Sequence, residues 1–430
     1  MASAYPMGYQ ASSKHSICQV PQVHSFYKLG VNPLCCIIES TQKFSSSRDC
    51  LFILANSISE LGFEFMTIQC DSYLAQMNHM EEIANCTFLF AIVLSTDCSF
   101  NNYYTSSIQS WMNLFESHLK TEVPMIMIVD AKTSFGLGQQ ADIKREHSAL
   151  IFSYDLSFYL TGLAAKILQA SANKTFYDLH MKVAEEYFMH TANHLDASSI
   201  PAIELRSTMN KNVALGLSDF WIHGLPTSPQ ITDYHRVGPN PFALLFWTES
   251  AGKRSSEELQ KKLKFIGFNT VINSFCTYNC LLKIIESNQN QIMGSSIFFL
   301  TIVCHGTSGN VCGSNSNCGS INGLIGKCNA LMRKDVPLIL VIDTCQVIRD
   351  STRINLVRKN TALLMSTVLG GVSYSDSYMP ALAMEIMKTN RNLSLYDLHT
   401  QATNKMIIKR GLIQTPEFRS TLTKKVLMLA

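Results

Sequence analysis

The sequence predicts an α/β fold present twice: a three-layer sandwich, with a mostly parallel sheet flanked by helices, in tandem. Three observations predict it. Short, continuous apolar runs recur along the chain without a period of two, the signature of strands buried on both faces. Amphipathic stretches alternate with them. Six sequence blocks then reappear in the same order, roughly two hundred residues apart, which marks a duplicated domain rather than a solenoid unit.

Taken in order, Asn32-Pro33 opens an apolar strand ending at Glu39-Ser40, and Asn240-Pro241 opens one ending at Glu249-Ser250. Leu61–Phe63 matches Ile266–Phe268, each after a helical stretch. Thr87–Leu94 matches Ile297–Cys304, and Val123–Asp130 matches Val336–Asp343. Tyr177–His180 matches Tyr396–His399, and Arg206–Met209 matches Arg419–Leu422. Helices are expected at Cys50–Leu61, Phe158–Gln169 and Glu257–Phe265, the last with Leu259 and Leu263 one turn apart. The predicted organisation is a polar tail over 1–25, a first domain over 26–215, a linker over 216–233 and a second domain over 234–430. Residues 210–235, rich in Asn, Gly, Pro, Thr and Ser, supply the join. Both copies carry a terminal-strand pattern, at Ile200-Pro201 to Leu215 and at Thr415-Pro416 to Leu429. An exposed edge of that kind needs a cover, so the two copies are expected to dock through these strands.

Composition bounds the function. In a chain of 430 residues, 47% are hydrophobic and 16% charged, enough for a substantial core in each half. The net charge is +3 with no dense Lys/Arg cluster, which argues against nucleic acid and anionic membranes as partners. Residues 1–15 lack the apolar core of a signal peptide, and the apolar runs fall short of the roughly 20 residues a membrane span needs. A cytoplasmic protein with reduced thiols is expected. The fourteen cysteines, seven in each half, form no paired Cys-x-x-Cys units, so no metal or other cofactor is expected.

In open parallel sheets, functional residues gather beyond the carboxyl ends of neighbouring strands. Cys304-His305-Gly306 ends one matched run and Asp343-Thr344-Cys345 ends the next. A histidine and a cysteine so placed can face one cleft as base and nucleophile. The competing reading is a buried structural cysteine beside a surface histidine.

At these residues the second copy resembles a caspase. That family carries His-Gly at one strand end and a Gln-Ala-Cys-Arg-Gly pentapeptide at another; here these read His305-Gly306 and Asp343–Val347. Pro416, Ser420, Leu422, Thr423 and Lys424 resemble the last strand of the small subunit, which pairs across the caspase dimer. Ser366-Thr367, Gly370 and Ser373-Tyr374 resemble the segment lining the substrate groove, and Arg254-Ser255 resembles an arginine of the primary specificity pocket. The resemblance spans most of 234–430 and, more weakly, 26–215.

The resemblance implies a cysteine endopeptidase of regulated proteolysis or programmed cell death. Cys345 would be its nucleophile, His305 its general acid and base, and Gly306 and Cys345 would supply N–H groups for the oxyanion. Arg254, Asp343, Ser373, Tyr374 and Ser375 would bind substrate. Partners would be protein or peptide substrates, another caspase, or a second copy of the chain. Two departures bear on this. Ser375 stands where a second pocket arginine is expected, and Asp343 replaces the pocket glutamine. Metacaspases and paracaspases carry Asp there and prefer basic residues; alternatively Asp343 pairs with Arg254 and closes the pocket. In the first copy Ser95-Thr96 aligns with His305-Gly306 and Lys132 with Cys345, so that copy is expected to be a non-catalytic scaffold. The alternative function is an inactive homologue that binds and regulates an active caspase.

Overall fold

The computed structural model describes residues 27, 29–39, 45–69, 79–94, 99–100, 104–105, 108–131, 143, 145–169, 175–192, 203–214, 234–248, 252–307, 309–346, 354, 356, 358–368, 371–373, 377–387, 393–410 and 414–428. The amino-terminal half contains β1 (Pro33–Glu39), α1 (Ser45–Ser59), β2 (Glu64–Gln69), α2 (Met80–Asn85), β3 (Phe88–Val93), β4 (Ser99–Phe100), β5 (Tyr104–Thr105), α3 (Ile108–His118), β6 (Met125–Asp130), β7 (Ser148–Ser153), α4 (Leu156–Gln169), α5 (Phe176–Ala192) and β8 (Glu204–Ser207). The carboxyl-terminal half contains β9 (Tyr234–Arg236), β10 (Phe242–Trp247), α6 (Lys253–Phe265), β11 (Asn269–Ser274), α7 (Tyr278–Ser287), α8 (Gln289–Met293), β12 (Phe298–Val303), β13 (His305–Thr307), β14 (Asn310–Cys312), β15 (Cys318–Ser320), α9 (Ile321–Leu331), β16 (Leu338–Asp343), β17 (Thr361–Met365), α10 (Tyr378–Met387), α11 (Leu395–Arg410), β18 (Glu417–Ser420) and β19 (Lys425–Leu427).

Twelve strands form one sheet in the order β11-β10-β12-β16-β17-β18-β8-β7-β6-β3-β1-β2. Read inward from either edge, the strand sequence is the same. All pairings are parallel except those of β18 and β8, which run antiparallel to β17, to β7 and to each other. The apolar runs explain this order. All six residues of β3, β12 and β16 are buried, which requires helices on both faces. On one face, a single core extends through both halves, from Leu54 and Phe90 to Leu259 and Phe299. On the other face each half has its own core, one around Trp111 and Phe115, the other around Leu281 and Ile325.

The two terminal strands meet as the edge argument predicts, with Phe418 opposite Ser207 and Arg419 opposite Arg206. Two arginines facing each other are tolerated because each has a carboxylate beside it on its own strand. Arg206 Nε lies 2.8 Å from Glu204 and Arg419 Nε lies 2.8 Å from Glu417. The rings of Tyr177 and Tyr396 stack at 4.2 Å across the same junction. Each half thereby covers the edge the other would expose.

Some expectations need correction. The terminal strands are shorter than their sequence pattern; beyond β18 the chain breaks away, and β19 pairs in parallel with β9. Part of the expected join is therefore structured: Val213 and Ala214 bridge to Tyr27 and Thr175. The tail over 1–25 and the linker over 216–233 lie outside the described residues. The predicted helices begin earlier than expected: the first turns of α1 and α6, Ser45–Arg48 and Lys253–Ser256, are polar and carry no apolar period, and α4 starts two residues sooner at the buried Leu156. In β3, Leu89 rather than Phe88 takes the place of Phe298: Leu89 pairs with Met125 as Phe298 pairs with Leu338. Not all thiols are reduced, because Cys312 and Cys318, opposite each other on β14 and β15, form a disulfide. Among the described residues, no helix is long and apolar enough to cross a membrane.

Candidate active site

β12 and β16 lie side by side in parallel, with Val303 opposite Asp343. The Cys304 N–H donates to the Asp343 carbonyl at 3.2 Å. His305 and Cys345 each stand two residues beyond the Val303–Asp343 pair, so both emerge at the same carboxyl edge. His305 opens the β13–β14 hairpin, which β15 extends to three strands. Its side chain is exposed and that of Cys345 is half-buried.

Gly306 brings the hairpin and the cysteine loop together. A Cβ there would lie 2.2 Å from Thr344 Oγ1, 2.6 Å from the Asn310 carbonyl and 3.0 Å from the Cys345 carbonyl. Two of those obstacles are backbone, so only glycine permits the approach. Among the described contacts, no hydrogen bond joins His305 to Cys345. The thiol donates instead to the Ser373 carbonyl at 3.5 Å.

Beneath this edge lies a buried polar network. Ser373 Oγ donates to Asp343 Oδ1 at 2.7 Å, and Ser366 Oγ donates to Ser373 Oγ at 2.9 Å. Gln414 Nε2 donates to the Ser366 carbonyl at 2.7 Å and to Ser373 Oγ at 3.1 Å. Ser377 Oγ completes the chain by donating to Gln414 Oε1 at 2.7 Å. The Thr344 N–H donates to Ser366 Oγ at 3.2 Å, tying the network to the residue before Cys345. Asp343 is 4% exposed and is held by this network.

Arg254 does not pair with Asp343. It lies in the first turn of α6 with its side chain 88% exposed, 3.4 Å from Glu258 one turn on. The closed-pocket alternative, in which these two residues neutralise each other, is therefore overturned: the helix start directs Arg254 outward, where its nearest carboxylate is local. Tyr374 and Ser375 lie outside the described residues, as do Ser95, Thr96 and Lys132 of the first half. Sequence reasoning placed Ser366 in the groove segment and Gln346 in the cysteine motif, but missed Gln414, which stands three residues ahead of β18.

Four of the other second-half cysteines are less suited to nucleophilic attack. Burial pushes the Cys304 and Cys328 thiols up to about 12, which holds them protonated at neutral pH. Cys312 and Cys318 are consumed in their disulfide. Cys276 and Cys280 flank the amino end of α7.

Residues 252–427 match the family model Peptidase_C14, described as the caspase domain. A crystal structure of Caspase-1 from Spodoptera frugiperda is similar at 18% identity; the match covers 48% of this chain and 98% of that chain, with a TM-score of 0.39. Comparison with curated proteins gives no match. Over residues 252–427, where the paired strand ends, the His305 hairpin and the Cys345 loop meet, the chain carries a domain of the caspase family.

Proposed function

We propose that the carboxyl-terminal half is a cysteine endopeptidase acting on protein or peptide substrates, and that the amino-terminal half is a degenerate tandem copy serving as its scaffold. The observation carrying this is the strand register, which brings His305 and Cys345 out at one edge with Gly306 pressed against the Cys345 backbone. Cys345 attacks the scissile carbonyl as thiolate. His305 takes the thiol proton and returns one to the leaving amine. The N–H groups of Gly306 and Cys345 stabilise the oxyanion. Asp343, buried below the groove, disfavours an acidic substrate side chain, because like charges in a desolvated site repel. Arg254, turned to solvent, offers little to attract one. A basic residue before the cleaved bond is therefore preferred.

A second reading has specific support: the Cys345 thiol is engaged by the Ser373 carbonyl rather than by His305, as suits an inactive homologue that regulates an active caspase. Labelling of the full chain with peptidyl electrophiles, varied only at the residue before the reactive group, separates the two. The peptidase reading expects Cys345 to be labelled fastest by Arg or Lys probes, with labelling and peptide cleavage lost in Cys345→Ala. Absence of labelling by every probe supports the regulator instead, and a strong Asp preference unchanged in Asp343→Gln refutes the assigned pocket.

A further inference from the structure

Gln346 follows the nucleophile and is fully buried. Its main-chain N–H donates to the Gly371 carbonyl at 2.9 Å. Its side-chain Oε1 accepts the Gly309 N–H, also at 2.9 Å. Gly309 forms the turn between β13 and β14 with φ of 70°, and its carbonyl accepts the N–H of Ile321, the first residue of α9, at 2.9 Å. One residue thus ties together three segments: the loop carrying Cys345, the hairpin carrying His305, and the segment whose Ser373 carbonyl receives the thiol.

The hairpin needs such a tie. β13 is three residues long and belongs to the small sheet with β14 and β15, apart from the twelve-stranded sheet. Gly306 sets how closely the hairpin approaches the cysteine loop, while the far end of the small sheet is tied to the segment before α7, where the Asn315 N–H donates to the Cys276 carbonyl at 3.3 Å and the Tyr278 N–H to Asn317 Oδ1 at 3.1 Å. The bond from Gly309 to Gln346 adds a direct tie between the turn of the hairpin and the cysteine loop itself. The amide is present for its oxygen: Nε2 is buried with no hydrogen-bond partner among the described residues, a cost that an apolar side chain of the same length would avoid. Lys or Arg would offer no acceptor at all.

We infer that Gln346 is a positioning residue for the dyad, holding the His305 hairpin against the Cys345 loop through Gly309. This rests on the peptidase reading above. The test is the rate at which iodoacetamide alkylates Cys345 in the full-length protein at pH 6 and at pH 9, followed by peptide mass. Alkylation requires thiolate, so a thiol served by His305 keeps reacting at pH 6, whereas an isolated thiol slows by about two orders of magnitude. The wild-type rates should differ by only a few-fold, and His305→Ala should show the full drop. Gln346→Met, which keeps length and removes the acceptor, should lower the pH 6 rate at least tenfold relative to pH 9. Gln346→Asn, whose oxygen falls short of Gly309, should act alike, while Gln346→Glu, which keeps an acceptor oxygen, should recover most of the rate. The Asn and Glu variants decide the matter should the Met variant not fold. Unchanged rate ratios in the Met and Asn variants, beside a collapsed ratio in His305→Ala, overturn the role of Gln346 and leave the dyad standing. A wild-type ratio already equal to that of His305→Ala overturns the dyad and this role together.

Discussion

Tyr159 bonds His180 at 2.9 Å in the first half, and Tyr378 bonds His399 at 2.6 Å in the second. Asp178 accepts from the Thr175 N–H ahead of α5, and Asp397 accepts from the Ser394 N–H ahead of α11, both at 2.8 Å. The helical layer is built alike on both sides of the junction, down to its buried polar pairs. The carboxyl edges of the strands are not. In the first half β7 ends at Ser153 and α4 begins at Leu156, leaving no room for a groove segment. In the second half β17 ends at Met365 and α10 begins at Tyr378, and Ser366 and Ser373 between them join the Asp343 network. Helices and strand centres answer to packing, which both halves need, whereas strand-end loops answer to chemistry. Two halves can share their packing and still differ at the strand ends.

The sharpest break of the comparison is at the junction, where the halves differ in burial. Glu417 and Arg419 are 2% and 1% exposed, against 14% and 3% for Glu204 and Arg206. Removing one member of a buried ion pair costs about 3–5 kcal/mol, so Glu417→Ala should lower unfolding free energy by about that much. Glu204→Ala should cost less, about 1–2 kcal/mol, since water reaches its site and Arg206 also lies 4.7 Å over the Phe152 ring. Denaturant melts of the two variants measure this, and equal losses would show that burial does not distinguish the two pairs.

Next in size is Gly306→Ala, which acts on the second half alone. Its Cβ would force the hairpin off Thr344 and Cys345, and for the proposed dyad a displacement of about 1 Å costs on the order of a hundredfold in rate. Peptide cleavage and Cys345 labelling should fall together while the denaturation midpoint stays close to that of the wild type.

The smallest effect concerns both halves equally. Burial lowers the His180 and His399 side chains to about 3, below their ordinary value near 6.5. The unfolded chain therefore binds protons that the folded chain refuses. Stability is fully present above about pH 6.5 and is lost as pH falls toward 3. Between pH 7 and pH 5 each histidine should remove about 2 kcal/mol. Comparing the pH dependence of unfolding in the wild type, His180→Asn and His399→Asn should show a flatter slope in either variant, by similar amounts.

Much of this was legible in the residues. Apolar runs such as Phe298–Val303 and Leu338–Asp343 must be buried on both faces, and that local requirement locates the parallel strands. The repeated blocks imply that whatever sheet one half builds the other builds too, and an exposed terminal strand needs a partner. His305 and Cys345 could be singled out because each directly follows such a run. What the side chains do beyond the strand ends depended on segments distant in the chain. Ser373 reaches Asp343 across 30 positions, Gly309 reaches Gln346 across 37, and Gln414 reaches Ser373 across 41. No local pattern specifies such bonds, because they follow from which loops the packed sheet brings to one edge. Arg254 shows the converse: pocket arginine by position in the sequence, it faces solvent because the first turn of α6 points it there. Hydrophobic periodicity is a property of the chain, so the layers could be read from the residues. The direction of a polar side chain at a strand end is a property of its neighbours, and it emerges only once the loops pack together.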